Sequence, residues 1–329
     1  MLRFVVRRLL LIVLTLTVVS FGTFMLFFAA PSDPARILCG TRCQPAQIEA
    51  VRDGLGLDRP IMTQYVEYMG GIFAGRTLGE GDWAKDCSAP CFGYSYTQNQ
   101  EVSEIVARAL PVSASVAIGA WIIQTLISVS SGVIAARKRG TAVDRGTIAA
   151  TLIGGALPIY FVGPMLLLIF RYQLEILPQP SYTPLLDDPL AFAGGMIMPW
   201  ATLAIVGFAF DARLSRSQML ETLDEDFIRT SRAKGLKDRV VFWRHALRAS
   251  ATPLATSAGL GLGGLLGGAV VTESIFGLNG LGKLSLDAIT ARNLPIVMAT
   301  VLIAATFVVF GTFIVDMLYA AIDPRVRLS

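Results

Sequence analysis

Six apolar runs, separated by polar stretches, follow one another along this chain. Each contains about 20 residues or more, which is enough for a helix to cross the hydrocarbon core of a bilayer. The predicted spans are Leu9–Ala30, Ile105–Ala136, Gly146–Phe170, Leu190–Phe210, Thr252–Thr272 and Pro295–Ile322. The pattern predicts an all-α membrane protein with six transmembrane helices. The second and sixth are long enough to tilt or to extend into water.

The first run could instead be a signal peptide, because Arg3, Arg7 and Arg8 precede it. Its apolar part is longer than the usual signal core, and Ala29-Ala30-Pro31 is a poor cleavage site because proline follows the small residues. We therefore predict that residues 1–30 are retained as the first transmembrane helix.

Basic residues indicate the orientation of the predicted helices. Arg and Lys are frequent before the first span, between the second and third, between the fourth and fifth, and at the C-terminal end. The short connections on the opposite side carry only Arg171, Lys283 and Arg292. Because basic loops favour the cytoplasm, we predict that both termini are cytoplasmic.

The composition agrees with a membrane location. Hydrophobic residues make up 53% of the chain and charged residues 16%, below the roughly 25% charged residues of soluble domains. The net charge of +4 reflects the basic cytoplasmic loops and gives no reason to expect a nucleic-acid partner.

Residues 31–104 form the one sizeable segment on the predicted outer side. They include ten acidic and six basic residues, and both Ala46–Leu55 and Thr63–Phe73 have the apolar spacing of helices. The segment is longer than a connection requires. A docking or gating role is the first interpretation, and a passive cap on the helices is the second.

All four cysteines lie in this outer segment, as the couples Cys39, Cys43 and Cys87, Cys91. Their spacing is not the common zinc spacing, and the predicted compartment is oxidising, so we expect disulfides rather than metal. Pairing within each couple would close two small loops, whereas pairing across would join the start of the segment to its end. The sequence leaves this choice open.

Glycine and proline change the interpretation of two spans. The fifth run is glycine-rich between Gly259 and Gly268, which predicts close helix packing in lipid, with a bend or a path lining as the alternative. Pro158 and Pro164 predict kinks in the third span.

The stretch from Gly277 to Lys283 matches the first part of a phosphate-binding loop. However, Leu284 stands where such a loop has Ser or Thr, and the stretch faces away from cytoplasmic ATP. We predict instead a glycine-rich turn that leads into a short amphipathic helix, Leu281–Ile289.

The chain offers little support for an intramembrane enzyme or an ion-coupled carrier. Its single histidine, His245, has no cysteine on its side of the membrane. Asp211, Glu273 and Asp316 lie near the ends of spans, whereas ion-coupled carriers usually keep ionisable groups near the middle of the membrane. We therefore expect a partner to supply the energy for transport.

The polar stretch 211–251 offers a place for that partner to bind. Nine basic and five acidic residues lie between Arg213 and Arg248, together with the apolar Phe227 and Ile228. Gly235 predicts a sharp break between two short helices. Such a segment fits a groove on a soluble protein. The alternative, a basic helix on anionic lipid, is less favoured because acidic residues are interspersed.

Several blocks resemble the membrane subunits of binding-protein-dependent ABC importers, and above all the B-type permease of the dipeptide and oligopeptide group. Arg213–Leu236 resembles the cytoplasmic EAA loop of that group, with Arg229, Thr230 and Ser231 where the general pattern has Glu-Ala-Ala. Further matching blocks are Leu55–Pro60, Ala156–Phe161, Gly264–Phe276, Gly280–Gly282 and Ala288–Arg292. The chain departs from the family pattern at Asn279, Asn293, Met298 and Ala299.

The resemblance implies a type I ABC importer permease fold in the inner (plasma) membrane, with a large extracytoplasmic segment after the first helix. The chain would divide into the first helix (1–30), the outer segment (31–104) and a permease core (105–329) that contains the cytoplasmic coupling loop 211–251. Implied partners are a C-type permease, two cytoplasmic ATPases that hold ATP and Mg, and an extracytoplasmic binding protein that delivers a peptide. No cofactor is implied in this chain. Nickel chelates, glutathione and oligosaccharides are alternative solutes of the same family branch.

The resemblance also implies which residues contact the ATPase. The coupling helix would span about Asp224–Leu236. The implied contacts are Asp226, Phe227, Arg229, Thr230, Ser231, Arg232, Ala233, Lys234, Gly235 and Leu236.

Overall fold

The structure, a computed structural model, describes residues 2–28, 58–78, 84–95 and 97–322, together with single residues between 35 and 52. Helices dominate. Those used below are α1 (Leu2–Phe28), α2 (Ile61–Ala74), α3 (Val102–Arg137), α4 (Ala142–Ala156), α5 (Ile159–Leu166), α6 (Pro189–Asp224), α7 (Asp226–Ala233), α8 (Asp238–Val240), α9 (Leu247–Gly268), α10 (Val270–Phe276), α11 (Leu281–Thr290) and α12 (Leu294–Ile322). Leu167–Gln173 and Val241–Ala246 form π-helical turns after α5 and after α8.

Within the described chain, four helices are long and apolar enough to cross a membrane: α1, α3, α6 and α12. The pair α4 and α5 would make a fifth span if it is counted as one. The expected fifth span, Thr252–Thr272, falls on α9 and α10, where several side chains lie outside the described part of the chain. A helical membrane protein is confirmed, and the count of six spans stays a prediction.

The third predicted span, Gly146–Phe170, is not one straight helix. Helices α4 and α5 meet at an angle of 102° because Leu157, which precedes Pro158, is extended with ψ 117°, as the proline ring requires. The expected kink at Pro158 is therefore a sharp turn. Pro164 lies inside α5 and lacks an amide hydrogen.

The outer segment contains two small hairpins that helical spacing did not predict. Strand β1 (Arg76–Leu78) pairs with β2 (Lys85–Cys87), and β3 (Tyr94–Ser95) pairs with β4 (Gln100–Glu101), both antiparallel. The predicted helix Thr63–Phe73 is confirmed by α2, whereas most of Ala46–Leu55 lies outside the described residues.

Cys87 and Cys91 form a disulfide, so the second couple pairs within itself. Both side chains are buried. Cys39 and Cys43 lie outside the described residues, and their disulfide stays a prediction.

Contacts divide the chain into two compact units. One unit combines the described residues of Val5–Ser113 with Asn279–Phe307, and the other is built mainly from Ala114–Leu278. In the first unit, the buried core joins the start of α3 to α11 and the start of α12 through side chains that include Val102, Leu281 and Ile296. Helix α11 confirms the short helix predicted after the glycine-rich turn.

In the second unit, glycines bring helices together. A Cβ on Gly132 of α3 would lie 2.6 Å from the Ala212 carbonyl oxygen of α6, which is closer than real contacts allow. At Gly261 and Gly264 of α9, no described atom of this chain lies within 4 Å of an added Cβ. Close helix packing of the fifth span therefore stays a prediction.

Candidate functional site

Helix α6 continues beyond its predicted apolar span. Its 36 residues correspond to about 54 Å at 1.5 Å per residue, whereas the hydrocarbon core is about 30 Å thick. The last turns of α6, which begin near Arg213 and end at Asp224, are therefore long enough to reach into water. The polar stretch that starts at residue 211 is thus largely helical rather than a loop.

Helix α7 is attached to the rest of the second unit by one buried side chain. Ile228 is 0% exposed and packs with Val133 of α3, Met219 of α6 and Phe242 of the π-helical turn. It is the only side chain of α7 that is buried. An eight-residue helix is too short to be stable in isolation, so this contact must hold α7 in place.

The predicted coupling residues, which do not include Ile228, form a surface that we name the α7 surface. Nine of them are exposed and Ser231 is half-buried. Members of the α7 surface are Asp226, Phe227, Arg229, Thr230, Ser231, Arg232, Ala233, Lys234, Gly235 and Leu236. Phe227 is 44% exposed and Leu236 is 41% exposed, so apolar groups lie among the charges.

Polar side chains of the α7 surface are satisfied locally. Thr230 donates to the Asp226 carbonyl oxygen at 2.9 Å, and Ser231 donates to that of Phe227 at 2.7 Å. Arg229 pairs with the Asp226 carboxylate at 3.2 Å. These three contacts lie within one helix. Arg232 pairs with Asp238 of α8 at 3.4 Å, but both side chains are exposed, so this pair adds little to the attachment of α7.

Gly235 ends α7 in the way the sequence predicts. Its φ is +79°, its amide donates to the Arg232 carbonyl at 2.9 Å, and the Leu236 amide donates to the Ser231 carbonyl at 3.4 Å. Together these bonds form a Schellman motif, which favours glycine because other residues are strained at positive φ. No atom lies within 4 Å of an added Cβ. Backbone conformation, not space, therefore selects glycine here.

The return from α7 to the membrane is packed beneath the α7 surface. The Arg137 guanidinium lies 5.5 Å from the centre of the Phe242 ring, and Phe242 meets Trp243 edge to face at 5.3 Å. Phe242 is buried, while Trp243 is 43% exposed. Phe242, held by these contacts, forms part of the buried core against which Ile228 packs.

A second tie, between α4 and α6, was not found from the sequence. Asp144 is buried, and its carboxylate accepts hydrogen bonds from Arg216 Nε at 2.5 Å and Nη2 at 3.0 Å. The Gly140 amide adds a third bond at 2.9 Å. Such a two-pronged pair fixes both distance and orientation. The pair joins the start of α4 to the last turns of α6, in the same unit as α7.

Two family models match successive parts of the chain. The N-terminal model of binding-protein-dependent transport system membrane components matches residues 1–117. The model of binding-protein-dependent transport system inner membrane components matches residues 128–328, which is more than half of the chain.

Named relatives are similar over nearly the full length. The chain is 35% identical over 348 aligned positions to the di/tripeptide transport system permease protein DppB of Pseudomonas aeruginosa, with 99% of each chain covered. It is 33% identical over 351 positions to the dipeptide transport system permease protein DppB of Escherichia coli, again with 99% of each covered.

A solved structure has a similar fold. A chain of the MetNI methionine ABC transporter, in an inward-facing conformation, aligns with a TM-score of 0.52 at 18% sequence identity. The alignment covers 67% of this chain and 97% of that chain. At this identity, the similarity bears on the fold alone.

Proposed function

The chain belongs to the family of binding-protein-dependent transport system inner membrane components, and we propose that it forms one membrane-spanning half of an ATP-driven importer for di- and oligopeptides. Its fold is that of a type I ABC importer permease. The peptide substrate is supported by the names of the two relatives, both of which are peptide permeases.

The proposed partners follow from this role. A C-type permease would complete the path, two cytoplasmic ATPases would hold ATP and Mg, and an extracytoplasmic binding protein would deliver the peptide. This chain would itself be non-catalytic. Both termini would lie in the cytoplasm, as the distribution of arginine and lysine predicts, so that the α7 surface faces the ATPases.

One observation carries the proposal: the exposed α7 surface is attached through a single buried residue, Ile228. An exposed helix with mixed charges and protruding apolar groups fits a groove on a partner protein. The matching apolar contacts would come from Phe227 and Leu236, which are exposed. The five acidic residues among nine basic ones between Arg213 and Arg248 make a lipid surface a poorer match.

Motion would pass from the ATPases to the membrane through rigid contacts. Movement of α7 displaces Ile228, which is packed against α3, α6 and the π-helical turn. The Asp144–Arg216 pair makes α4 follow α6. Helices that shift as packed units in this way are a common form of conformational switch.

The experiment that tests this function compares two glycine substitutions. Gly235 and Gly277 have φ of +79° and +68°, with no described atom within 4 Å of an added Cβ, but only Gly235 lies in the α7 surface. The variants Gly235→Val and Gly277→Val therefore carry similar backbone strain. Each is reconstituted with the partner permease and ATPases, and ATP hydrolysis and peptide uptake are measured together.

The proposal expects Gly235→Val to keep hydrolysing ATP while uptake falls by at least about tenfold, because a shift of 1.4 kcal/mol in docking already changes an equilibrium that much. Gly277→Val should retain uptake. Wild-type uptake in Gly235→Val would contradict the coupling role. Peptide uptake that persists without any ATPase would contradict ATP-driven import.

A further inference from the structure

A cavity of about 670 Å³ lies within the second unit, between α3, α6 and α9. Its walls include Gln124, Gly207, Asp211, Ser257 and Gly261. Among the described residues that line it, Asp211 is the one ionisable residue. No described atom lies within 4 Å of a Cβ added at Gly261, so α9 is open at this wall.

The Asp211 carboxylate is held by two neutral donors. Gln124 Nε2 donates to Oδ2 at 2.7 Å, and Ser257 Oγ donates to Oδ1 at 3.3 Å. A carboxylate offers about four lone-pair positions, so it has capacity for further donors. Among the residues that the structure describes, none with a positive charge pairs with Asp211.

The nearby arginines of α6 are occupied elsewhere. Arg213 Nε donates to the Ala209 carbonyl oxygen at 2.9 Å, and Arg216 pairs with Asp144. The negative charge of Asp211 is therefore oriented by its neighbours but is not neutralised by these cations. A cationic ligand would find the charge already in position.

Gln124 holds its side of the carboxylate from a buried position at the same wall. The residue is 6% exposed, and its Oε1 atom is buried with no hydrogen-bond partner among the described residues. The reverse amide orientation would place Oε1 against the carboxylate, acceptor against acceptor. The Gln124 amide occupies the space where a Cβ on Gly207 would be, so glycine at 207 is what lets the amide fit.

A carboxylate with spare acceptor capacity and no described cation paired to it calls for a ligand with several donors and a positive charge. A primary ammonium has three N–H donors and no acceptor. A Ca²⁺ ion would need six to eight oxygen ligands, more than the single carboxylate and amide of this wall provide. The chemistry of the wall therefore matches an ammonium group better than a metal ion.

We infer that this cavity binds the α-ammonium group of the transported peptide, with the Asp211 carboxylate, oriented by Gln124 and Ser257, as its acceptor. The inference rests on the proposed function and adds a specific place on the substrate path. The same ammonium chemistry is present in phosphatidylethanolamine, so an experiment must separate peptide from lipid.

The direct test uses the wild-type transporter complex without nucleotide and without binding protein, in micelles that contain phosphatidylcholine and phosphatidylglycerol only. The probe is the dipeptide Ala-(p-benzoylphenylalanine), compared with its N-acetylated form. After illumination, labelling of residues 207–218 is quantified by mass spectrometry. The free-amine probe should label at least about tenfold more than the acetylated probe, the usual ratio for a hydrogen bond to a charged group.

Equal labelling by the two probes would overturn the inference. Labelling by the free-amine probe that disappears when phosphatidylethanolamine is added would assign the site to lipid and would also overturn it. Because both readouts use the wild-type complex, they do not depend on how any variant folds.

Substitutions of Asp211 provide a second test of the inference. Asp211→Asn should lower the initial rate of dipeptide uptake by at least about tenfold, and Asp211→Glu should lower it less because the charge remains. Asp187→Asn, at an exposed aspartate outside the cavity, is the matched control and should transport at the wild-type rate. Uptake by Asp211→Asn within about twofold of wild type would contradict the inference while leaving the proposed function intact. No peptide uptake by the wild-type complex would contradict the proposed function itself.

Discussion

Ile228→Ala is the perturbation that most directly separates the attachment of α7 from its contact surface. Ile228 is 0% exposed and lies in a core with Met219, Val241 and Phe242. Truncation of a fully buried isoleucine to alanine typically costs about 2–5 kcal/mol. No other buried side chain of α7 shares this contact. The cost should therefore appear as detachment of this helix rather than as unfolding of the whole protein.

The expected change in amide exchange follows from this cost of about 2–5 kcal/mol. A loss of about 2 kcal/mol raises the opening equilibrium of α7 roughly 30-fold, and the helix is too short to persist alone. We expect amide hydrogens of residues 229–236 in Ile228→Ala to exchange at least that much faster. Peptide uptake should fall while ATP hydrolysis by the assembled complex continues.

Phe227→Ala is the matched control on the same helix. Phe227 is 44% exposed, so its loss should leave amide exchange of α7 near the wild-type rate while it weakens docking to the ATPase. The assay is hydrogen exchange with mass spectrometry on the purified complex. Unchanged exchange in Ile228→Ala, or the same increase in both variants, would refute the idea that one buried residue holds α7.

Two further predictions concern the Asp144–Arg216 ion pair and the Cys87–Cys91 disulfide. Asp144→Asn removes the negative charge that pairs with the partly exposed Arg216. We expect the free energy of unfolding to fall by about 1.5–3 kcal/mol, which should lower the midpoint of thermal inactivation. Asp238→Asn, whose aspartate is 89% exposed in its pair with Arg232, is the control and should leave the midpoint unchanged. The double variant Cys87→Ser, Cys91→Ser opens a loop with a sequence separation of 4. Closing a loop of this size lowers the entropy of the unfolded chain and should stabilise the fold by about 2 kcal/mol. We expect faster proteolytic cleavage within residues 84–95, and a cleavage rate equal to wild type would contradict that contribution.

The membrane-spanning helices could be predicted well, because apolar length is a direct physical requirement of the bilayer. Pro158 likewise predicted a kink, but the 102° turn depends on how α4 and α5 pack, which no local pattern encodes. The hairpins around Cys87 were missed. Strands of two or three residues are too short for alternation to be visible in sequence.

The candidate site was predicted in part. Gly235 and the exposed positions of the α7 surface lie where the family resemblance placed them, although their contact with an ATPase stays a prediction. The role of Ile228 was not foreseen, because an apolar residue beside Phe227 could equally have faced a partner. Asp144 and Arg216 are 72 residues apart, so only the tertiary structure brings them together. Gln124, a polar residue inside an apolar span, was a signal that sequence reasoning could have used.

The central claim is that the α7 surface binds the ATPase, and site-specific photocrosslinking tests it most directly. p-Benzoylphenylalanine is placed at Phe227 in the assembled transporter, and at Tyr172 as a control, since Tyr172 is also exposed but lies in the turn after α5. We predict an adduct between position 227 and an ATPase subunit, and none from position 172. Adducts from position 227 with lipid alone, or equal ATPase adducts from both positions, would contradict it.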